Sequence, residues 1–195
     1  EFSLLQIKPM TINSFNRSII DNDIDDNLLF CKSNIVLGEG LINDIYHIIY
    51  VDLDNFDISQ SKIIAYQIEQ LNKYLGPKKP YLLVGPGRWG SSDQWLGIPT
   101  KWEQINNAKI IMELGIEGLE PDPSFGSHFF QNITSLHLGY FTFNKKETYN
   151  NINWDILKNS DLEKSTDYVK LFKMKKPLKC IIDGTSGKGV IFKNS

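Results

Sequence analysis

The chain has 195 residues, of which 41% are hydrophobic and 23% charged, a globular balance that predicts one packed domain, with or without an extra arm. Its net charge of −2 favours neither nucleic acid nor an anionic membrane surface as a partner. No stretch approaches the roughly 18 apolar residues of a membrane span, and Cys31 and Cys180 form no CxxC pair that would suggest zinc. We therefore expect a cytoplasmic protein without membrane contact and without a metal site of its own.

The N-terminal segment predicts a short strand followed by a polar connection. Residues 4–7 are a short, mostly apolar run, and Pro9 follows soon after, which suits a strand. Because the chain begins as if in the middle of a strand, we expect a fragment of a longer protein. Residues 13–32 contain a polar, Asp- and Asn-rich run. Because this run lacks the glycine and glutamate of a calcium loop, it is interpreted as a solvated linker.

The next elements alternate between strands and a helix. Residues 34–37 and 45–53 are predicted strands around a glycine turn. Residues 59–75 predict an amphipathic helix, because their apolar side chains recur at helical spacing and Gly76-Pro77 follows them.

Further strands dominate the remainder of the chain. The predicted strands are 81–84, 109–114, 138–143, 168–174, 178–183 and 189–192, with helices starting near residue 124 and at 154–158. Helices and strands therefore interleave, which predicts a mixed, strand-rich α/β layered domain. The lysines of 170–179 are interpreted as one solvated strand face.

A glycine-rich loop directly after the strand at 81–84 is the first candidate site. Glycines allow backbone amides to approach an anion, and Arg or Ser donors can complete a phosphate or carboxylate cradle. The P-loop pattern is absent, and a tight loop that only shapes the fold remains the alternative. The candidate phosphate-binding residues in this loop are Gly85, Gly87, Arg88, Gly90, Ser91 and Ser92.

His128 is the second candidate, because the pattern places it in the first turn of a predicted helix, next to Ser127. A phosphoryl group on His128 would be stabilised there by unpaired amides and the helix dipole. The alternative is a histidine packed between aromatic side chains. His47 and His137 lie in apolar runs and are expected to be structural, as is the glycine turn at 183–187 between two strands.

These segments carry a family resemblance. The run Phe2-Ser3-Leu4-Leu5-Gln6-Ile7-Lys8-Pro9 resembles the last strand of the ATP-grasp domain of phosphoenolpyruvate synthases, with Lys8 in place of the usual Arg. The runs 85–99 and 126–135 resemble the C-terminal region of phosphoenolpyruvate synthase and pyruvate phosphate dikinase-like proteins. A weaker similarity relates Gly126-Ser127-His128 and the 183–187 turn to a swivelling phosphohistidine domain, although Phe129 and Phe130 replace two small residues.

The resemblance implies three parts: 1–12 as the last ATP-grasp strand, with Gln6 and Lys8 left from the ATP site; 13–32 as a linker; and 33–195 as a swivelling β/β/α-like domain. It implies an ATP-dependent phosphotransferase in which ATP and Mg²⁺ act in the intact protein, His128 carries the phosphoryl group, and the upstream ATP-grasp domain is the partner. This fragment alone is expected to hold no cofactor and to be inactive. The alternatives are a degenerate, non-catalytic domain that binds a small anionic ligand or docks another domain, and a purely structural cap.

Overall fold

In the computed structural model, residues 20, 24–93, 95–121 and 136–194 are described. The strands are β1 Leu29–Ser33, β2 Val36–Leu37, β3 Glu39–Val51, β4 Tyr81–Pro86, β5 Arg88–Trp89, β6 Gly97–Ile98, β7 Ala108–Leu114, β8 Gly139–Phe143, β9 Asp161–Ser165, β10 Val169–Asp183 and β11 Lys188–Lys193. The helices are α1 Ser61–Leu75, preceded by a 3-10 turn at Ile58–Gln60, α2 Trp102–Ile105, α3 Lys145–Asn150 and α4 Asp155–Lys158.

The described residues form one sheet of nine strands and a separate pair of short ones. The order of the large sheet is β1-β11-β10-β3-β4-β7-β8-β2, with β9 paired to β10, while β5 and β6 pair with each other. Strands β3, β4, β7 and β8 run parallel as neighbours, whereas the other pairings of the large sheet are antiparallel. The sheet is therefore mixed, with a parallel segment of four strands.

Apolar side chains cover both faces of the parallel segment, as is usual for strands buried on two sides. On one face, α1 buries the stripe Ile64, Ile68, Leu71 and Leu75 against strand residues such as Leu83 and Ile111. The other face is covered in part by α4. Burial of each such Leu or Ile contributes about 1.5–3 kcal/mol, so packing of this stripe holds α1 on the sheet.

The mixed, strand-rich α/β fold class is confirmed, and so is the helix at 59–75, whose last residue is Leu75. The strands predicted at 168–174 and 178–183 form one continuous strand, β10, with register shifts between Lys173 and Cys180. The predicted linker overlaps β1 at 29–32, because Phe30 and Cys31 are buried in the sheet. The predicted ATP-grasp strand at 1–12 and the helix near residue 124 lie outside the described residues.

The turn at 183–187 has the structural role expected of it, because it joins β10 to β11. Asp183 Oδ1 accepts the amides of Thr185 at 3.1 Å and Ser186 at 3.2 Å, and Glu39 Oε2 accepts the amide of Gly184 at 2.9 Å. A Cβ at Gly184 would lie 2.4 Å from a backbone oxygen of Gly38, so glycine is required there. This hairpin places β11 between β1 and β10 in the sheet.

Candidate functional site

The candidate site lies where the parallel strands end. Parallel strands bring their carboxyl ends to one edge of the sheet, and open α/β sheets bind ligands in crevices outside that edge. The glycine-rich loop follows directly after β4, Glu113 is the penultimate residue of β7, and Thr142 is the penultimate residue of β8. Polar side chains thus gather at this edge although the strands themselves are apolar.

Three positions form a row across β4, β7 and β8. Gly85 pairs with Glu113, and Glu113 pairs with Thr142, so the three share one face of the sheet. Tyr140 lies two residues before Thr142 on the same strand and therefore on the same face. Trp89 packs over Gly85, where an added Cβ would lie 2.6 Å from the indole Cζ2. Glycine at 85 therefore allows the Trp89 ring to cover this row.

The backbone of the loop is occupied by the fold itself. Strands β5 and β6 pair in parallel, so Arg88–Trp89 and Gly97–Ile98 lie side by side and run in the same direction. Four consecutive amides donate to protein acceptors: Gly87 to Leu114 O at 2.9 Å, Arg88 to Leu96 O at 3.1 Å, Trp89 to Glu113 Oε1 at 2.9 Å and Gly90 to Ile98 O at 2.9 Å. An anion at this loop must consequently be held by side chains rather than by the amides of 87–90.

Glu113 is the unusual titratable group of the edge, with only 3% of its surface exposed. Burial raises the pKa of Glu113 from 4.5 to about 7, although the nearby Tyr140 hydroxyl, the Trp89 amide and the Arg88 charge each favour the ionised carboxylate. Its Oε2 and the Thr142 Oγ1 are buried and have no hydrogen-bond partner within the described part of the chain. Glu113 can therefore exchange a proton near neutral pH.

The polar side chains predicted to bind phosphate in this loop have different surroundings. Ser91 is engaged in a local turn, since its Oγ donates to Asp93 O at 2.7 Å and accepts the Asp93 amide at 3.2 Å. Ser92 is exposed and lines an open cavity of about 540 Å³ together with Lys62. Arg88 is half-buried, and its charge acts on Glu113. Ser92 and Arg88 are thus the side chains of the predicted set with the most suitable chemistry for an anion.

Four predicted site residues, His128, Ser127, Gln6 and Lys8, lie outside the described residues. Of the histidines expected to be structural, His47 is buried, whereas His137 is exposed with a left-handed backbone at φ 52°. In the described ranges, no three His, Cys, Asp or Glu side chains are grouped so that they could hold a metal.

Sequence reasoning missed the buried polar residues Glu113, Tyr140 and Thr142 at this edge. Glu113 stands within the apolar run Ala108–Leu114, and a carboxyl in such a run is a signal for a buried polar site. Tyr140 and Thr142 carry no comparable signal, because only the register of β7 with β8 places them beside Glu113.

No family model, no curated protein and no solved structure matches the chain. Among the helices of the described ranges, none has the length and apolar character needed to cross a bilayer.

Proposed function

We propose that this chain is the C-terminal part of a phosphoenolpyruvate synthase-like phosphotransferase, and that its sheet edge binds a small phosphate- or carboxylate-bearing anion through Arg88. The observation that supports this proposal is the position of Arg88: it follows β4 at the carboxyl edge and acts on a buried carboxyl whose pKa is about 7. A guanidinium offers a fork of donors that matches the oxygens of phosphate or carboxylate.

Glu113 makes the proposed binding dependent on pH. When ionised, Glu113 repels an incoming anion and competes with it for the charge of Arg88. When protonated, it does neither, and its O–H is a hydrogen-bond donor. Protonation of Glu113 therefore favours anion binding as the pH falls through about 7.

In the intact protein, the upstream ATP-grasp domain would bind ATP and Mg²⁺, and this domain would be the swivelling β/β/α-like unit beside it. The role of His128 as phosphoryl carrier stays a prediction. It is tested by phosphohistidine detection in the full-length protein with ATP and Mg²⁺, where labelling that persists in His128→Ala would remove it.

Calorimetric titration with phosphate, pyrophosphate and phosphoenolpyruvate tests the anion site. We expect saturable binding of at least one of them to the wild type, and at least tenfold weaker binding to Arg88→Gln. Lys158→Gln is the matched control, because it removes one cation that is 73% exposed and contacts Asp155 on the same short helix.

Three outcomes separate the alternatives. Binding that needs Arg88 without a label on His128 favours the anion-binding alternative, whereas binding together with a label favours the carrier. Equal affinity in wild type and Arg88→Gln would contradict the site proposed here. Circular dichroism of Arg88→Gln shows whether the variant keeps its fold.

Glu113→Gln tests the same site without touching Arg88. The ratio of its affinity to that of the wild type should rise between pH 6 and 8, because the ionisation of the ligand itself is common to both proteins.

A further inference from the structure

A second polar cavity lies at the opposite edge of the parallel segment, at the amino end of β4. His47 pairs with both Tyr81, the first residue of β4, and Lys173 of β10. Around this point is a cavity of about 270 Å³, and the lining residues that matter here are Asp44, Tyr46, His47, Lys78, Lys79 and Lys173. None of the loop residues 85–97 lines it, so it is distinct from the Arg88 edge.

Three lysines from two separate parts of the chain converge on this cavity. Lys78 and Lys79 come from the connection between α1 and β4, and Lys173 comes from β10; all three are exposed. Asp44 is the one carboxylate of the lining, and Glu163 approaches from the side, with Oε2 3.5 Å from His47 Nε2. The lining itself thus has three lysines and one carboxylate, while Glu163 and Asp161, which pairs with Lys173 across β9 and β10, add two carboxylates beside it.

The charges of two of these lysines act on His47. Burial lowers the pKa of His47, the Glu163 carboxylate opposes this shift, and the charges of Lys79 and Lys173 lower the pKa further. Both ammonium groups thus act on one imidazole although they belong to different elements. His47 is 6% exposed, and its Nδ1 has no hydrogen-bond partner among the described residues.

The connection that carries Lys78 and Lys79 is held in place before any ligand arrives. Pro77 and Pro80 restrict the backbone on either side of the two lysines. The Lys79 amide donates to Gly76 O at 3.3 Å, and the Lys79 ammonium lies 5.8 Å from the centroid of the Tyr74 ring. A fixed backbone lowers the ordering cost of binding, which favours a ligand site over a freely moving group of surface lysines.

We propose that this cavity is a second anion site, for a small phosphate compound with two or more negative charges. The three lysines would contact its oxygens, and His47 would form part of the wall. The cavity of about 270 Å³ is smaller than the pockets of about 300–1,000 Å³ that enclose drug-sized ligands, so the ligand we propose is pyrophosphate or a phosphorylated short-chain compound rather than a nucleotide.

The test uses pyrophosphate as the probe and amide chemical shifts of the ¹⁵N-labelled protein as the readout, at constant ionic strength. We expect saturable shifts at Tyr46, His47, Lys79 and Lys173. The double variant Lys79→Gln/Lys173→Gln should bind at least tenfold more weakly at these amides. Lys175→Gln/Lys176→Gln is the matched control, since it removes two exposed charges from the same strand outside the cavity lining and should bind as the wild type does.

The same spectra distinguish this site from the Arg88 site. In Arg88→Gln, the shifts around His47 should persist, and any shifts around residues 87–97 should be lost. The proposal is overturned if the shifts around His47 grow linearly without saturation, if chloride or poly-glutamate produces them equally well, or if the double variant keeps the affinity of the wild type.

Discussion

Replacing Glu113 by Gln tests whether the buried carboxyl makes stability depend on pH. The Gln side chain keeps the shape of Glu113, and its oxygen can still accept the Trp89 amide, which lies 2.9 Å from Glu113 Oε1. What it loses is the ability to ionise. The free energy of unfolding of Glu113→Gln should therefore lack the contribution that titration of this carboxyl makes in the wild type.

The sign and magnitude follow from the raised pKa. Burial moves the pKa of Glu113 from 4.5 to about 7, so between these values the folded chain binds more protons than the unfolded chain. The wild type is therefore stabilised by this group below about pH 4.5 and loses that stabilisation as the pH rises through 7. A shift of this size corresponds to about 3 kcal/mol.

Urea unfolding of both proteins between pH 4.5 and 8 measures this effect. As the pH rises from 4.5 to 8, the free energy of unfolding of Glu113→Gln should increase by about 3 kcal/mol relative to that of the wild type. Contributions common to both proteins cancel in this difference. Glu117→Gln is the control, because it removes one carboxylate in the same way and this one is 91% exposed. Parallel stability curves for wild type and Glu113→Gln would show that burial of Glu113 does not couple its proton to folding.

Two further substitutions test how the loop is held. Trp89→Phe removes the indole N–H that donates to Met112 O at 3.0 Å and should cost about 1–3 kcal/mol in urea unfolding; an unchanged midpoint would argue against that bond. Gly97→Ala places a Cβ 2.1 Å from the Arg88 carbonyl oxygen and should lower the thermal midpoint more than Gly118→Ala, whose added Cβ meets open space; equal losses would contradict the tight β5–β6 pairing.

The elements with strong periodicity were predictable from the sequence. Helix α1 follows from its apolar stripe and from Gly76-Pro77, and β4 follows from an uninterrupted apolar run. Strand β9 was missed because its residues Asp161–Ser165 are mostly polar, and it forms by pairing with β10. Local pattern decides the first kind of element, whereas a partner distant in sequence decides the second.

The candidate site was predictable only in part. The glycine-rich loop marks a turn after a buried strand, but its sequence does not reveal that the amides of Gly87 and Gly90 are bound by Leu114 and Ile98. Glu113 lies beside Thr142 only through the register of β7 with β8, which a single sequence does not specify. The polar residues at the carboxyl ends of these strands are thus brought together by strand pairing as well as by the glycine-rich loop.

A crystal structure of the protein soaked with pyrophosphate is the decisive test of anion binding at the Arg88 edge. We expect an anion in contact with the Arg88 guanidinium, outside the carboxyl ends of β4 and β7. An anion seen only in the cavity of Lys79 and Lys173, or none in crystals of a protein that binds pyrophosphate in solution, would contradict it.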